Sequence, residues 1–261
     1  LILLLLPNFQ PQVDQLTISV WIKTENTSFS RIISRKSSEN IFFLAIQDNG
    51  QIRFNVMDGQ AISFDGNFND NQWHHITGTW NGSTVKIYVD GVFQGDGNAT
   101  IPLDYNGLNT DAPFIGAQDA NWENFDGKID NFSFWSSSLT QDQIQVYMNT
   151  ELSGNESGLI AYWSFNEGQG NTLFDLSGNG YDGTIYGAQW HSYGAPLEPQ
   201  EPIYGCNDPY AENFDSNANV NDSSCEYSQN PVTFTKVNYA DPELEENQDR
   251  ITANVWLTRG E

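Results

Sequence analysis

The chain has 261 residues, with 34 acidic side chains against 10 basic ones and a formal net charge of −24. So acidic a surface disfavours nucleic acids and anionic membranes, because phosphates must be neutralised by Lys and Arg. Hydrophobic residues make up 38% of the sequence, ample for a packed core, which argues against disorder. The surplus of carboxylates has two interpretations, namely solubility or the binding of divalent cations such as calcium.

The chain opens with six apolar residues, Leu1 to Leu6. A membrane-spanning helix takes about 20 such residues, and neither a basic region nor a small-residue cleavage site accompanies this run. A buried first strand is therefore predicted here, with the remnant of a signal peptide as the alternative. No other segment of the sequence is a candidate membrane span.

Short strand-like runs separated by Gly, Asn and Asp continue to about residue 190. Leu16 to Lys23 alternates with the two-residue period of a half-buried strand. Further strand-like runs lie at 41–47, 51–57, 73–80, 84–89, 114–116, 128–136 and 159–165. Many short strands with almost no helix predict an antiparallel β-sandwich or jelly roll.

One short helix is predicted after these strands. Thr140 and Gln143 have the spacing of a capping box, and Ile144 and Met148 would share a buried face. The helix is expected to end near Thr150.

The remaining chain has three parts. A Pro-rich segment predicts an extended linker. Cys206 and Cys225 lie in a loop rich in Asn, Asp and Ser, which predicts a disulfide and an oxidising compartment. The predicted organisation is a sandwich (1–192), a linker (193–204), a disulfide-bounded module (205–227) and a C-terminal strand extension or start of a further domain (228–261).

Three groups of motifs stand out in the strand-rich part of the sequence. The motifs are Trp73 to Ile76 with Trp80 to Gly82 and Lys86 to Gly91, then Phe114 to Ala117 with Phe125 to Asp130, then Leu159 to Gly168 with Asp175 to Gly180. In these motifs the chain resembles the laminin-G-like domains, which include the pentraxins, over about residues 10–190. This resemblance implies an all-β, concanavalin A-like antiparallel sandwich, here with one short helix and a small disulfide-closed appendage. The third group opens many such domains, so in this chain it either closes the sandwich or marks a permuted order.

The segment from Gly205 to Tyr227 resembles a cysteine-bounded repeat of large bacterial surface proteins. This resemblance implies a bacterial protein that is extracellular or on the cell surface.

Three sets of oxygen-bearing residues are candidate calcium sites. The pentraxin resemblance implies the first set, the Asp-Asn-Gly loop suggests the second, and a spacing that echoes an EF-hand suggests the third, although Val220 stands where such a loop needs Gly. The sets are Glu39, Asn40, Gln118 and Asp119; Asp175, Asn179 and Asp182; and Asp215, Asn217 and Asn219. For each set, the alternative is that polar residues simply form turns.

A sugar site is suggested by Asn121, Trp122 and Glu123, because an exposed Trp beside amide and carboxylate groups can stack on a pyranose and bind its hydroxyls. The alternative is that Trp122 folds back on the sandwich. His74 and His75 are adjacent and would face opposite ways on a strand, so they cannot share a metal ion.

Catalysis is not expected. Glucanases of this fold need two close carboxylates on one strand, whereas the run from Lys128 to Phe132 has only Asp130. The GxSxG and HExxH motifs are also absent.

The expected function is a secreted or cell-surface binding module for a glycan or another surface ligand in adhesion, with calcium. One alternative is a structural subunit of an extracellular fibre or surface layer, assembled from copies of the chain by strand addition. Another is an accessory domain of a larger secreted glycan-degrading enzyme.

Overall fold

A computed structural model describes residues 3–5, 9, 13–36, 40–101, 112–118, 122–192, 194–197, 204–206, 211–214, 220–221 and 223–227. Two antiparallel sheets form a sandwich. The eight-stranded sheet has the order β13 (Thr172–Leu173), β14 (Gly183–Tyr186), β1 (Leu3–Leu5), β10 (Phe114–Ile115), β3 (Ser30–Lys36), β4 (Asn40–Ile46), β5 (Ile52–Val56) and β6 (Gly59–Ile62). The six-stranded sheet has the order β12 (Leu159–Trp163), β11 (Lys128–Trp135), β2 (Leu16–Lys23), β7 (Trp73–Trp80), β8 (Thr84–Val89) and β9 (Val92–Asn98).

This architecture confirms the predicted all-β sandwich. The opening apolar run supplies β1, which pairs with β10 on one side and with β14 on the other. The third group of family motifs belongs to the sandwich, where β12 pairs with β11 and β14 pairs with β1.

The core lies between the two sheets and is built from the inward side chains of each strand. In β2 the predicted alternation holds, with Leu16, Ile18, Val20 and Ile22 in the main core. The strand is not half-buried, however, because Thr17 and Ser19 on its outer face are buried as well. Helix α1 (Gln141–Tyr147) and the segment after it cover this outer face, where the backbone carbonyl of Met148 accepts a hydrogen bond from Trp21 Nε1 at 3.0 Å.

The sequence of α1 explains its start and its position. Thr140 accepts a hydrogen bond from the backbone N–H of Gln143, and the Gln143 side chain accepts one from the backbone N–H of Thr140 at 2.9 Å, which confirms the capping box. Ile144 is buried in a second, smaller core with Tyr88, Trp135 and Tyr162. The helix therefore seals one outer face of the sandwich.

Three sheet edges are covered by the chain itself. On one side, β6 lies against β9, where Gly95 and Gly97 bring the two strands so close that a Cβ at either position would overlap a β6 carbonyl oxygen. On the other side, the loop after β13 occupies the edge of β12, since Tyr162 donates its N–H to Asp175 Oδ1 and accepts from the N–H of Leu176. These edges therefore have partners within the chain.

Beyond the sandwich, Cys206 and Cys225 form the predicted disulfide. Nearby, β15 (Tyr204–Gly205) pairs in parallel with β16 (Val220–Asn221). Among the described residues, no helix is long and apolar enough to cross a membrane.

Candidate functional site

The first predicted calcium set is only partly described. Glu39 and Asp119 lie outside the described residues, and Asn40 begins β4, with its backbone opposite Lys36. Gln118 follows β10, where its N–H donates to the Trp122 carbonyl at 3.0 Å and its own carbonyl accepts from Ser34 Oγ at 3.1 Å. Calcium at this set stays a prediction.

In the second set, three carboxylate oxygens already accept hydrogen bonds from the loop and from β12. Asp175 Oδ1 accepts from the N–H groups of Tyr162 and Ser177, and Oδ2 accepts from the N–H of Tyr181 and the hydroxyl of Ser177, at 2.9–3.1 Å. Asp182 Oδ1 accepts from the N–H of Asp175 at 2.8 Å, and Asn179 donates to the Ile160 carbonyl at the same distance. These contacts are those of a polar turn that fastens the loop to β12.

The third set, Asp215, Asn217 and Asn219, lies outside the described residues. Within the part of the chain that the structure describes, no group of three or more His, Cys, Asp or Glu side chains is arranged to hold a metal ion. Calcium therefore rests on the sequence patterns and the family resemblance, and the calcium sites stay predictions.

The predicted sugar loop offers one exposed ring. Trp122 is 67% exposed, whereas Glu123 forms an ion pair with Arg31 Nε. The Arg31 guanidinium in turn lies 4.3 Å from the centre of the Phe43 ring, so Glu123 helps to order this face of the eight-stranded sheet. Asn121 lies outside the described residues.

The two adjacent histidines face opposite sides of β7, as the sequence predicts. His75 lies 2.7 Å from Ser19 Oγ beneath the segment after α1, and burial lowers its pKa to about 3. His74 contacts Asp90 at 2.8 Å and Asp70 at 3.2 Å, and hydrogen bonding to Asp90 is the main reason that its pKa is raised. Neither side chain joins the other at a shared site.

A cleft of about 620 Å³ lies at one end of the six-stranded sheet, a volume typical of ligand sites. Its lining includes four Phe and Trp residues, namely Trp73, Phe125, Phe165 and Trp190. Polar groups come from Lys128, Asn166, Gln189, His191 and Ser192, with the carboxylates of Asp126 and Asp130. Sequence reasoning missed this cleft, because its walls come from the start of β7, the start of β11 and the segments that follow β12 and β14.

Strand register explains how the cleft's aromatic and cationic groups come together. Lys23 at the end of β2 lies opposite Trp73 on β7 and opposite Lys128 on β11. Partners directly opposite each other across a sheet project to the same face, so Trp73, Lys23 and Lys128 form a row, which we call the lysine row. The Lys128 ammonium lies 3.1 Å from His191 Nε2.

Asp130 is engaged in holding the chain that leaves the sandwich. Its Oδ2 accepts from the N–H of Ala195 at 2.6 Å, and its Oδ1 accepts from the N–H of Asn131 at 2.9 Å. Burial raises the pKa of this carboxyl, although both backbone hydrogen bonds oppose that shift. Asp130 therefore fixes one wall of the cleft.

Comparison with known proteins agrees with this architecture. The family model Laminin_G_3, of the concanavalin A-like lectin/glucanases superfamily, matches residues 4–145. Among solved structures, a candidate carbohydrate-binding protein from Bacteroides ovatus matches with a TM-score of 0.60 and 18% identity, over 74% of this chain and 59% of its own. At that identity, the likeness shows the fold alone.

Two further structures match with lower scores. A heptameric pentraxin from Limulus polyphemus has a TM-score of 0.39 and 18% identity, over 55% of this chain and 79% of its own. The CBM40 domain of a Ruminococcus gnavus sialidase has a TM-score of 0.43 and 15% identity, over 51% of this chain and 83% of its own. No curated protein matches the chain significantly. Because the family model covers more than half of the sequence and the two packed sheets have the fold it describes, the chain belongs to the Laminin_G_3 family of the concanavalin A-like lectin/glucanases superfamily.

Proposed function

We propose that the chain is a non-catalytic carbohydrate-binding module that takes a glycan into the cleft at the end of the six-stranded sheet. The observation that carries this proposal is the combination of Trp73, Phe165 and Trp190 with amide, hydroxyl and ammonium groups around one cavity. Aromatic rings offer flat apolar area to the C–H face of a pyranose. Amide and hydroxyl groups can both donate to and accept from its hydroxyls.

The absence of catalysis is part of the proposal. Glycoside hydrolysis ordinarily needs a paired acid and nucleophile or base. Of the two carboxylates that line the cleft, Asp130 gives both oxygens to backbone N–H groups. The chemistry of the cleft therefore favours binding over bond cleavage.

An extracellular setting and a role in adhesion complete the proposal. The Cys206–Cys225 disulfide supports an oxidising compartment. The Bacteroides ovatus protein of the same fold is itself described as a candidate for carbohydrate binding. Calcium stays part of the proposal on the strength of the pentraxin resemblance.

Substitution of a cleft tryptophan tests the proposal. We expect Trp73→Ala to weaken glycan binding at least tenfold on a glycan array followed by calorimetry, which corresponds to about 1.4 kcal/mol. Trp122→Ala is the matched control, because Trp122 is an exposed tryptophan that does not line the cleft.

The two variants separate three outcomes. Loss with Trp73→Ala alone supports the cleft, and loss with Trp122→Ala alone would move the site to the loop predicted from sequence. If the wild-type chain bound no glycan of the array, the proposed function would be wrong.

A further inference from the structure

We propose that the glycan taken by the cleft is acidic, and that a carboxylate of a hexuronic acid residue is bound by the lysine row. This inference rests on the proposed function and specifies its ligand. It is carried by Lys128, which lines an aromatic cleft, and by Lys23, the direct partner of Lys128 across the sheet, in a strongly acidic protein.

The first step is the position of the two ammonium groups. Lys23 and Lys128 are direct cross-strand partners, so their Cβ atoms lie about 5 Å apart on one face of the sheet. Like charges directly opposite each other are destabilising. An anion bound between them would remove this repulsion, and no carboxylate among the described residues forms an ion pair with either lysine.

The second step is the lack of an internal counterion. Within the described part of the chain, neither lysine has a carboxylate within 4.0 Å, the ion pairs there being those of Arg31 and His74. Asp130 lies two residues beyond Lys128, but its oxygens are bound to the backbone N–H groups of Asn131 and Ala195. Asp126 also lines the cleft and is exposed, where water and salt screen its charge.

The third step is the surroundings of the lysine row. Trp73 stands at one end of the row and can pack against a sugar ring. At the other end, His191 lies beside Lys128, with its Nε2 3.1 Å from the ammonium group. A sugar ring with a carboxylate matches both Trp73 and the ammonium groups, whereas a neutral sugar would leave the two ammonium groups without an anionic partner.

The test compares sugars that differ only in charge. Trigalacturonate, its methyl ester and oligomers of guluronate, mannuronate and glucuronate are titrated into the full chain by calorimetry, together with a panel of neutral oligosaccharides. We expect at least one uronate to bind about tenfold or more tightly than its methyl ester. A sulfated oligosaccharide is included, and preference for it over every uronate would overturn the carboxylate assignment.

Lysine variants locate the effect. Lys128→Met and Lys23→Met keep the aliphatic stem and should reduce the preference for acid over ester to less than threefold, while a melting curve confirms that they fold. Lys86→Met is the matched control, since Lys86 is a partly exposed lysine on β8 that does not line the cleft.

The outcomes distinguish this inference from the proposed function. If neutral sugars or esters bind as tightly as acids, the glycan-binding proposal stands and the acidic specificity is wrong. If no sugar of either panel binds, both are wrong. If Lys86→Met reduces the preference as much as Lys128→Met does, the effect is one of net charge and the lysine row is not the site.

Discussion

His74 and His75 show how neighbouring residues acquire opposite properties. Burial of His75 favours its neutral form and lowers its pKa to about 3, whereas the carboxylates of Asp90 and Asp70 raise the pKa of His74. An unfolded histidine has a pKa near 6.5. The stability due to neutral His75 is therefore present above pH 6.5 and falls as the pH drops towards 3, by about 1.4 kcal/mol per pH unit.

The contribution of His74 to stability depends on pH in the opposite sense. Its protonated form is favoured in the folded chain, so its contribution is fully present below pH 6.5 and is lost as the pH rises through the folded-state pKa.

We expect His75→Gln to flatten the loss of unfolding free energy between pH 6.5 and 5. We expect His74→Gln to remove the gain that accompanies acidification from pH 8 to 6.5.

Urea unfolding at half-unit steps from pH 8 to 5 measures both effects. Each variant is compared with the wild type by the change in slope, so a uniform loss of stability does not affect the result. Equal slopes in the wild type and His75→Gln would show that position 75 is open to protons in the folded chain.

The alternation of a strand was enough to predict that these two histidines separate, since successive side chains face opposite ways. Their burial was not predictable in the same way. His75 is covered by residues near 147–152 and by Leu197, more than 70 positions along the chain. Such contacts depend on the path of the chain, which no local pattern of residues records.

Among the elements, β6 of one sheet and β9 of the other lie in close contact. Gly97 faces the Gln60 carbonyl, and any side chain there would overlap it. We expect Gly97→Ala to lower the free energy of unfolding by about 1–3 kcal/mol, as overpacking does. Chemical unfolding measures the loss, and Asn98→Ala in the same strand is the control, since Asn98 is exposed.

The same variant bears on the hypothesis of strand addition between chains. Forcing β9 away from β6 would expose unpaired backbone groups of both strands, which favours pairing between molecules. Gly97→Ala is therefore expected to add dimers or larger species in size-exclusion chromatography. A monomer with unchanged stability would show that the two edges do not depend on their glycines.

The sequence predicted an element well when all the residues that specify it lie within one short segment. Thr140 and Gln143 gave the start of α1 from their spacing alone, and both hydrogen bonds of the box are present. The half-buried character expected for β2 was wrong, because α1 and the chain after it cover the outer face that the polar residues occupy. Likewise the cleft stayed hidden in the sequence, since register across three strands places Trp73, Lys23 and Lys128 side by side.

At the scale of the whole molecule, the net charge of −24 acts against compactness. Raising sodium chloride from 10 to 150 mM shortens the screening length from about 30 to 8 Å. We therefore expect the melting temperature to rise over this range.

Calcium chloride at the same ionic strength, with EDTA as its control, tests the calcium proposal. A specific site adds stability beyond screening, about 2.7 kcal/mol at a hundredfold excess over Kd.

Magnesium chloride provides the comparison that separates binding from charge neutralisation. A rise with calcium that magnesium does not match supports a site of the predicted kind. Equal effects of the two cations would leave the predicted ligand sets as turn-forming residues, in agreement with the hydrogen bonds that Asp175 already makes.

The position of β1 between β10 and β14 also bears on the order in which the chain can fold. Leu4 pairs with Ile185, so a contact near the start of the sandwich waits for a partner about 180 residues later. Contacts so distant in sequence slow folding, because a long loop must close before they form. A chain made from its N-terminus therefore holds β1 without its first neighbour until β10 has been made, and without its second neighbour until β14 follows.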